Sequence, residues 1–123
     1  MKTVRELMQT DLLTATPEET LGTAARDMGS RRVSCVLIKD GEKLAGILTE
    51  RDVVRAVASY FDAANHAVEE WMSKEPVVID PSATENEALD LMRERNIRHL
   101  PVVEGGKLLG VVSIRDVSHH ARG

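Results

Sequence analysis

The chain contains few aromatic residues and a single cysteine. Tyr60, Phe61 and Trp71 are the only aromatic residues among 123 positions, so the core must be built from Val, Ile, Leu, Ala and Met. This scarcity argues against a single-stranded nucleic-acid site, which stacks bases on aromatic rings. Cys35 stands alone, which excludes an internal disulfide and a multi-thiolate metal site. A lone thiol fits a reducing cytoplasm.

Excess positive charge and long apolar runs are also missing. The formal net charge is −4, and this composition argues against binding to a nucleic-acid backbone. No apolar run approaches the roughly 20 residues of a membrane-spanning helix, and the amino terminus lacks the apolar stretch of a signal peptide. We therefore expect a cytoplasmic protein with no membrane partner.

The chain does contain an internal repeat. Residues 4–53 align with residues 68–117 without a gap, and 15 of the 50 positions are identical. A fixed period of this kind indicates a repeat architecture, and we place the repeats at 1–62 and 63–123. Apolar spacing predicts the order β-α-β-β-α in each. Because halves of this size bury helices poorly alone, we expect an α/β (α+β) fold in which both halves pack sheet to sheet with pseudo-two-fold symmetry.

Local signals place the elements within each repeat. First strands are predicted at 12–15 and 77–79, and the residues at 16–19 are typical of a helix start. Asp40-Gly41 and Gly105-Gly106 predict hairpins. Gly46 and Gly110 lie inside strands, where glycine often marks the close approach of another backbone or a ligand.

The most distinctive repeated stretch covers 46–52 and returns at 110–116. Each copy is predicted to be a buried strand that turns directly into a helix, with Thr49 and Asp52, or Ser113 and Asp116, at the junction. A helix amino terminus favours phosphate, a hydroxyl can donate to a phosphate oxygen, and a carboxylate can accept from both ribose hydroxyls. The same residues could instead serve only as helix caps, and the spacing alone leaves both interpretations open.

These motifs resemble the CBS domain. The resemblance rests on the doubled Gly-h-h-[Thr/Ser]-x-x-Asp ending (h, apolar), the β-α-β-β-α repeat and the strand at 99–103. It covers about residues 4–120 and implies a CBS pair, or Bateman module, with no catalytic domain left over. In that family the cleft between repeats binds adenosine-containing ligands such as AMP, ADP, ATP, S-adenosylmethionine or NAD. The ligand regulates an attached or partner protein, and modules pair through their helices into homodimers.

The resemblance also assigns residues to two clefts. The first would be lined by residues of both repeats, namely Thr16, Leu21, Thr49, Glu50, Arg51, Asp52, Arg98, His99 and Pro101. The second, weaker site would be lined by Asp80, Val33, Ser34, Cys35, Ser113, Ile114, Arg115 and Asp116. Glu85 stands there in place of Leu21, and Ser34-Cys35 in place of Arg98-His99. We therefore expect the first cleft to prefer phosphorylated adenosine, and the second to be empty or to take an uncharged adenosine moiety.

Several alternatives stay open at this stage. Arg98 and His99 could be a solvated strand edge, and the whole module could be a ligand-free assembly scaffold. An enzyme is not expected, because no nucleophile–base pair, metal cluster or Gly-rich phosphate loop is present, and no cofactor is required. Exposed apolar helix faces are expected around Val54, Ala58 and Val117, where a homodimer would form. His66 has no evident partner in the sequence, and His119-His120 is a poor metal site without a third ligand.

Overall fold

The computed structural model describes residues 2–118, except the side chain of Ser118, as a mixed chain of helices and strands. In chain order these are α1 (Val4–Leu7), β1 (Thr14–Ala15), α2 (Leu21–Arg31), β2 (Cys35–Asp40), β3 (Lys43–Thr49), α3 (Glu50–Ser59), β4 (Ser73–Lys74), α4 (Glu85–Arg95), β5 (His99–Glu104), β6 (Lys107–Ser113) and α5 (Ile114–Ser118). Two 3₁₀ turns, Ala63–Asn65 and Val68–Glu70, lie between α3 and β4.

The chain forms two compact units. One is Leu13–Pro76, here called the first-repeat unit; the other joins the residues up to Leu12 with those from Val77 onward and is called the second-repeat unit. The predicted order β-α-β-β-α is complete in the first-repeat unit as β1, α2, β2, β3 and α3. The bounds 1–62 and 63–123 describe the sequence repeat and stay a prediction.

The first-repeat unit is built on a four-stranded sheet. Its strand order is β1-β2-β3-β4, with β1 parallel to β2 and the other pairs antiparallel. Val36, Ile38 and Leu48 are fully buried, which confirms that both hairpin strands are core strands. The apolar stripe of α2 packs into the same core, as its 3.6-residue spacing predicts.

The second-repeat unit repeats the hairpin in the same register. His99 pairs with Ser113 as Cys35 pairs with Thr49, and an irregularity falls at the equivalent place in both hairpins. The strand predicted at 77–79 is reduced to one parallel bridge between Ile79 and Val102. Helix α4 ends before Asn96, whose left-handed φ of 54° is typical of a residue that closes a helix C-terminus.

The segment that leads into each repeat packs in the unit of the other repeat. Val4 of α1 is fully buried in the second-repeat unit and donates its N–H to the Ala83 carbonyl at 2.8 Å. In the first-repeat unit, Val68 makes the matching bond to Glu19 at 2.8 Å. These segments also supply acceptors for the first N–H groups of α2 and α4, from the carbonyls of His66 (2.9 Å) and Lys2 (3.1 Å). A helix start leaves such donors without a partner inside the helix, so each leading segment satisfies the first N–H of the helix in the other repeat.

Two local predictions are wrong. The stretch 16–19 is a turn closed by Glu19 N–H to the Thr16 carbonyl at 3.2 Å, and α2 begins at Leu21 because the Thr20 side chain accepts from Thr23 N–H. Val117, expected on an exposed face, is fully buried in the second-repeat core. Val54 and Ala58 are exposed, as predicted.

The glycines at the centres of β3 and β6 are required by close backbone approach. A Cβ at Gly46 would lie 2.7 Å from the Ser73 carbonyl oxygen, and one at Gly110 would lie 2.6 Å from the Gln9 carbonyl oxygen. Gly46 pairs with Lys74 of β4, while Gln9 bridges Val111 next to Gly110. The prediction that these glycines mark close approach is therefore confirmed.

We expect Gly46→Ala and Gly110→Ala each to destabilise the fold by about 1–3 kcal/mol, because the added methyl group meets backbone that cannot yield without breaking strand pairing. The change should appear in urea unfolding followed by circular dichroism. Gly29→Ala is the matched control: nothing lies within 4 Å of that Cβ, and alanine in α2 should stabilise by up to about 1 kcal/mol. Equal stability of Gly46→Ala and the wild type would contradict the steric argument.

Candidate functional site

The β3–α3 junction is closed by one carboxylate. Thr49 ends β3 and caps α3, and Asp52 Oδ2 accepts from the Thr49 N–H at 2.8 Å and from its hydroxyl at 3.1 Å. Asp52 is only 7% exposed, and its position in the first turn suits the positive end of the helix dipole. The capping role left open by the sequence is therefore present in the structure.

The β6–α5 junction has the same geometry. Asp116 Oδ2 accepts from the Ser113 N–H at 2.8 Å and from its hydroxyl at 3.0 Å. Ser113 stands where the first repeat has Thr49, and the arrangement is the same because both side chains carry the required hydroxyl. The two junctions are thus equivalent at the capping oxygen.

The junctions differ at the second carboxylate oxygen. Asp52 Oδ1 accepts from Arg55 Nη2 at 3.1 Å, whereas Asp116 Oδ1 accepts from the neutral amide of Gln9 at 3.3 Å. A cation therefore stands beside one junction and an uncharged donor beside the other. The preference of the first site for phosphorylated ligands is predicted from Arg98 and His99, and it stays a prediction.

The start of each hairpin lies beside the junction of its own repeat. The Ser34 carbonyl accepts from Glu50 N–H at 3.2 Å, and the Arg98 carbonyl accepts from Ile114 N–H at 2.8 Å. Cys35 is buried opposite Thr49, and His99 is half-buried opposite Ser113. The assignment of Arg98, His99 and Pro101 to the site of Asp52 joins residues of different units and stays a prediction, as does that of Val33, Ser34 and Cys35 to the site of Asp116.

The remaining predicted residues fall into exposed and buried groups. The exposed ones are Thr16, Glu50, Arg51, Asp80, Arg98 and Arg115. The half-buried ones are Val33 and Ile114, and Leu21 and Pro101 are buried. Leu21 packs in the first-repeat core at 2% exposure. Its assignment to a ligand site stays a prediction, and its observed contacts are those of a core residue.

Glu85 occupies the position in α4 that Leu21 occupies in α2. It is 7% exposed, and its Oε2 is buried without a hydrogen-bond partner. A buried acceptor without a partner costs about 1–3 kcal/mol. We therefore expect Glu85 to make the second-repeat unit less stable than a leucine at the same position would.

The sequence did not reveal a cluster around Trp71. The Trp71 indole N–H donates to His66 Nδ1 at 3.1 Å, and the Arg55 guanidinium carbon lies 5.5 Å from the Trp71 ring centroid. Tyr60 packs on both rings, with centroids 5.0 Å from His66 and 5.9 Å from Trp71. The expectation that His66 has no partner is wrong, because partners five residues apart in a loop leave no periodic signal.

Two negative findings concern residues 2–118. No group of three or more His, Cys, Asp or Glu residues there could hold a metal ion. In the same range, no helix is long and apolar enough to cross a membrane. His119-His120, considered as a weak metal site from the sequence, lies outside the described residues.

The family is shown by direct comparison. The CBS domain family model matches the chain twice, at residues 4–59 and 68–123, so the chain belongs to the CBS domain family and carries two tandem copies. An uncharacterised 17.7 kDa protein of Acidianus ambivalens is 34% identical over 117 residues, covering 94% of this chain and 70% of the relative. The chain spans only 21–22% of the length of several other curated relatives.

Solved structures show the same fold. The CBS-domain protein ATU1752 from Agrobacterium tumefaciens is 31% identical, covers 99% of this chain and 100% of its own, and superposes with a TM-score of 0.91. The CBS domain protein PAE2072 from Pyrobaculum aerophilum, complexed with AMP, is 27% identical with a TM-score of 0.85, covering 94% of this chain and 89% of its own. The predicted fold of two tandem CBS repeats is therefore confirmed.

Asp80, a predicted residue of the second site, titrates below the usual range. The Ser82 hydroxyl donates to Asp80 Oδ1 at 2.7 Å and the Ser82 N–H donates at 2.9 Å. These bonds stabilise the charged form and hold the pKa of Asp80 below its ordinary value. The carboxylate thus contributes stability above its unfolded-state pKa, and this contribution is lost as pH falls through the lower folded-state value.

We expect Ser82→Ala to raise the pKa of Asp80 towards its ordinary value, because the hydroxyl bond is removed while the backbone bond remains. Carboxyl-carbon NMR titration of Asp80 measures the shift directly. Ser30→Ala, in the exposed part of α2, should leave the titration unchanged. An unchanged Asp80 titration in Ser82→Ala would show that the hydroxyl is not responsible.

Proposed function

We propose that this CBS pair is a regulatory module that binds an adenine nucleotide, AMP, ADP or ATP, and passes the binding signal to a partner protein. The observation that supports the proposal most strongly is the duplicated strand-to-helix junction, in which a hydroxyl and a carboxylate stand at a helix start. The AMP complex of the related protein PAE2072 supports the same ligand class.

The hydrogen-bond capacity of Asp52 supports ribose binding alongside capping. An ionised carboxylate has about four acceptor sites, and Asp52 uses three of them for Thr49 N–H, the Thr49 hydroxyl and Arg55. One site is free, and a second becomes free if the exposed Arg55 side chain withdraws. Both ribose hydroxyls can then bond to Asp52 without opening the cap.

A ligand-free assembly scaffold is the second candidate. It is favoured by the internal use of both junction carboxylates as caps and by the apolar residues left exposed on and just after α3. Val54 and Val57 are each 66% exposed, and Phe61 is fully exposed. An apolar patch of this kind is typical of an interaction surface, and the sensor and the scaffold could both use it.

We expect AMP, ADP or ATP at millimolar concentration to raise the thermal midpoint, because a ligand at 100 times its Kd adds about 2.7 kcal/mol of stability. The same thermal measurement is made with NAD and S-adenosylmethionine, which completes the panel of five ligands.

Asp52→Asn should weaken AMP binding about 10- to 100-fold by calorimetry, since hydrogen bonds to charged groups contribute about 1.5–3 kcal/mol. Asparagine retains a capping oxygen, so the helix start is preserved.

Asp116→Asn is the matched variant at the second junction and should cost less affinity for AMP, because no cation stands beside Asp116 among the described residues. Equal losses in both variants would contradict the predicted asymmetry between the sites. No stabilisation by any member of the panel would reject the sensor and favour the scaffold.

The second expected partner is another copy of this chain, docked through the exposed face of α3. Val57→Glu should lower the mass measured by light scattering from that of a dimer to that of a monomer, because a buried unpaired charge opposes association. Val78→Glu, at a 43% exposed valine outside this face, should leave the mass unchanged. A monomeric wild type at high micromolar concentration would rule out this interface.

A further inference from the structure

Arg55 joins the candidate site to the connection between the repeats. Its Nη2 donates to Asp52 Oδ1 at 3.1 Å, and the same guanidinium lies over the Trp71 ring at 5.5 Å, within the range of a cation–π contact. The Arg55 side chain is 54% exposed, whereas that of Asp52 is 10% exposed. An exposed cation thus links a buried carboxylate to an aromatic ring.

Trp71 is held in place by the connecting segment 60–72. Its N–H donates to His66 Nδ1 at 3.1 Å, while His66 Nε2 lies 3.1 Å from Asp62 Oδ1. Because Nδ1 accepts the indole proton, the neutral imidazole carries its hydrogen on Nε2 and donates it to Asp62. His66 thus holds the indole N–H, while Arg55, whose side chain is 54% exposed, lies over the Trp71 ring.

We propose that Arg55 couples occupancy of Asp52 to the connecting segment, so that a ligand that takes the second oxygen of Asp52 displaces the guanidinium and changes the surroundings of Trp71. The displacement follows from the acceptor count, because two ribose hydroxyls need one more site than Asp52 leaves free. Arg55 is in this sense a positioning residue. The ligand part of the inference rests on the proposed function, whereas the Asp52–Arg55–Trp71 coupling does not.

The second junction lacks the same coupling. Gln9 takes the place of Arg55 beside Asp116, and Trp71 is the only tryptophan in the chain. Within the first-repeat unit, Trp71 is linked to the Asp52 junction through Arg55. The two junctions form a natural pair of test and control within one molecule.

A ligand-free experiment tests the coupling directly. Asp52→Asn presents an amide to Arg55 in place of a charged acceptor, so the guanidinium should leave and the emission maximum and acrylamide quenching of Trp71 should change. Arg55→Met should produce a change in the same direction, and the double variant should add nothing further, because the two residues act through one contact.

Asp116→Asn and Arg26→Met, at an exposed arginine of α2, should leave the emission unchanged. Circular dichroism confirms that each variant is folded. Unchanged Trp71 emission in folded Asp52→Asn, or fully additive changes in the double variant, would overturn the inference.

An AMP titration tests the ligand part. In the wild type, Trp71 emission should change with the same Kd as the calorimetric heat. In Arg55→Met the heat should persist, with affinity within about fivefold of the wild type because an exposed ion pair contributes at most about 1 kcal/mol, and the emission change should be lost. Heat without an emission change in the wild type would overturn the coupling while leaving the proposed function intact. Absence of heat would reject AMP as the ligand, and the ligand-free variants would still decide the coupling.

Discussion

The start of a helix directly after a buried strand depends on one carboxylate in each repeat. At such a junction the first N–H groups of the helix have no partner within the helix, and the strand that precedes them is packed in the core. Asp52 and Asp116 accept from the N–H and hydroxyl of the last strand residue, and the Ser34 and Arg98 carbonyls accept from the N–H that follows. The close glycine contacts of β3 and β6 and the exchanged leading segments then hold the same strands from their other edge.

This constraint explains how a structural feature becomes a candidate binding site. A capping carboxylate is already oriented by its own hydrogen bonds, so a ligand that bonds to it would meet a preorganised acceptor. The capping role and the binding role therefore do not compete, because they use different lone pairs. A ligand would instead meet the side chain that already bonds to the second carboxylate oxygen, Oδ1. This side chain is Arg55 in one repeat and Gln9 in the other.

The two repeats share a backbone plan but differ in charge. The first carries Arg55 beside its carboxylate and a leucine at the start of α2; the second carries an uncharged amide and the buried Glu85 at the start of α4. The two junctions therefore share their capping geometry and differ in the charge of the side chain at the second carboxylate oxygen.

The sequence alone determined the duplication, the hairpins, the junction residues and the order of elements apart from the first strand of the second repeat, because periodicity and local turn chemistry are written in neighbouring residues. The sequence placed the start of α2 too early. In the folded chain the carbonyls of Pro17 and Glu19 accept from the segment between the repeats, and Thr20 therefore caps the helix instead of Thr16. Only the tertiary structure decided that Val117 is buried, that the leading segments exchange between units, and that Arg55, His66 and Trp71 meet beside Asp52. Contacts of this kind join residues without a shared period, and their free energy exists only when the chain has folded.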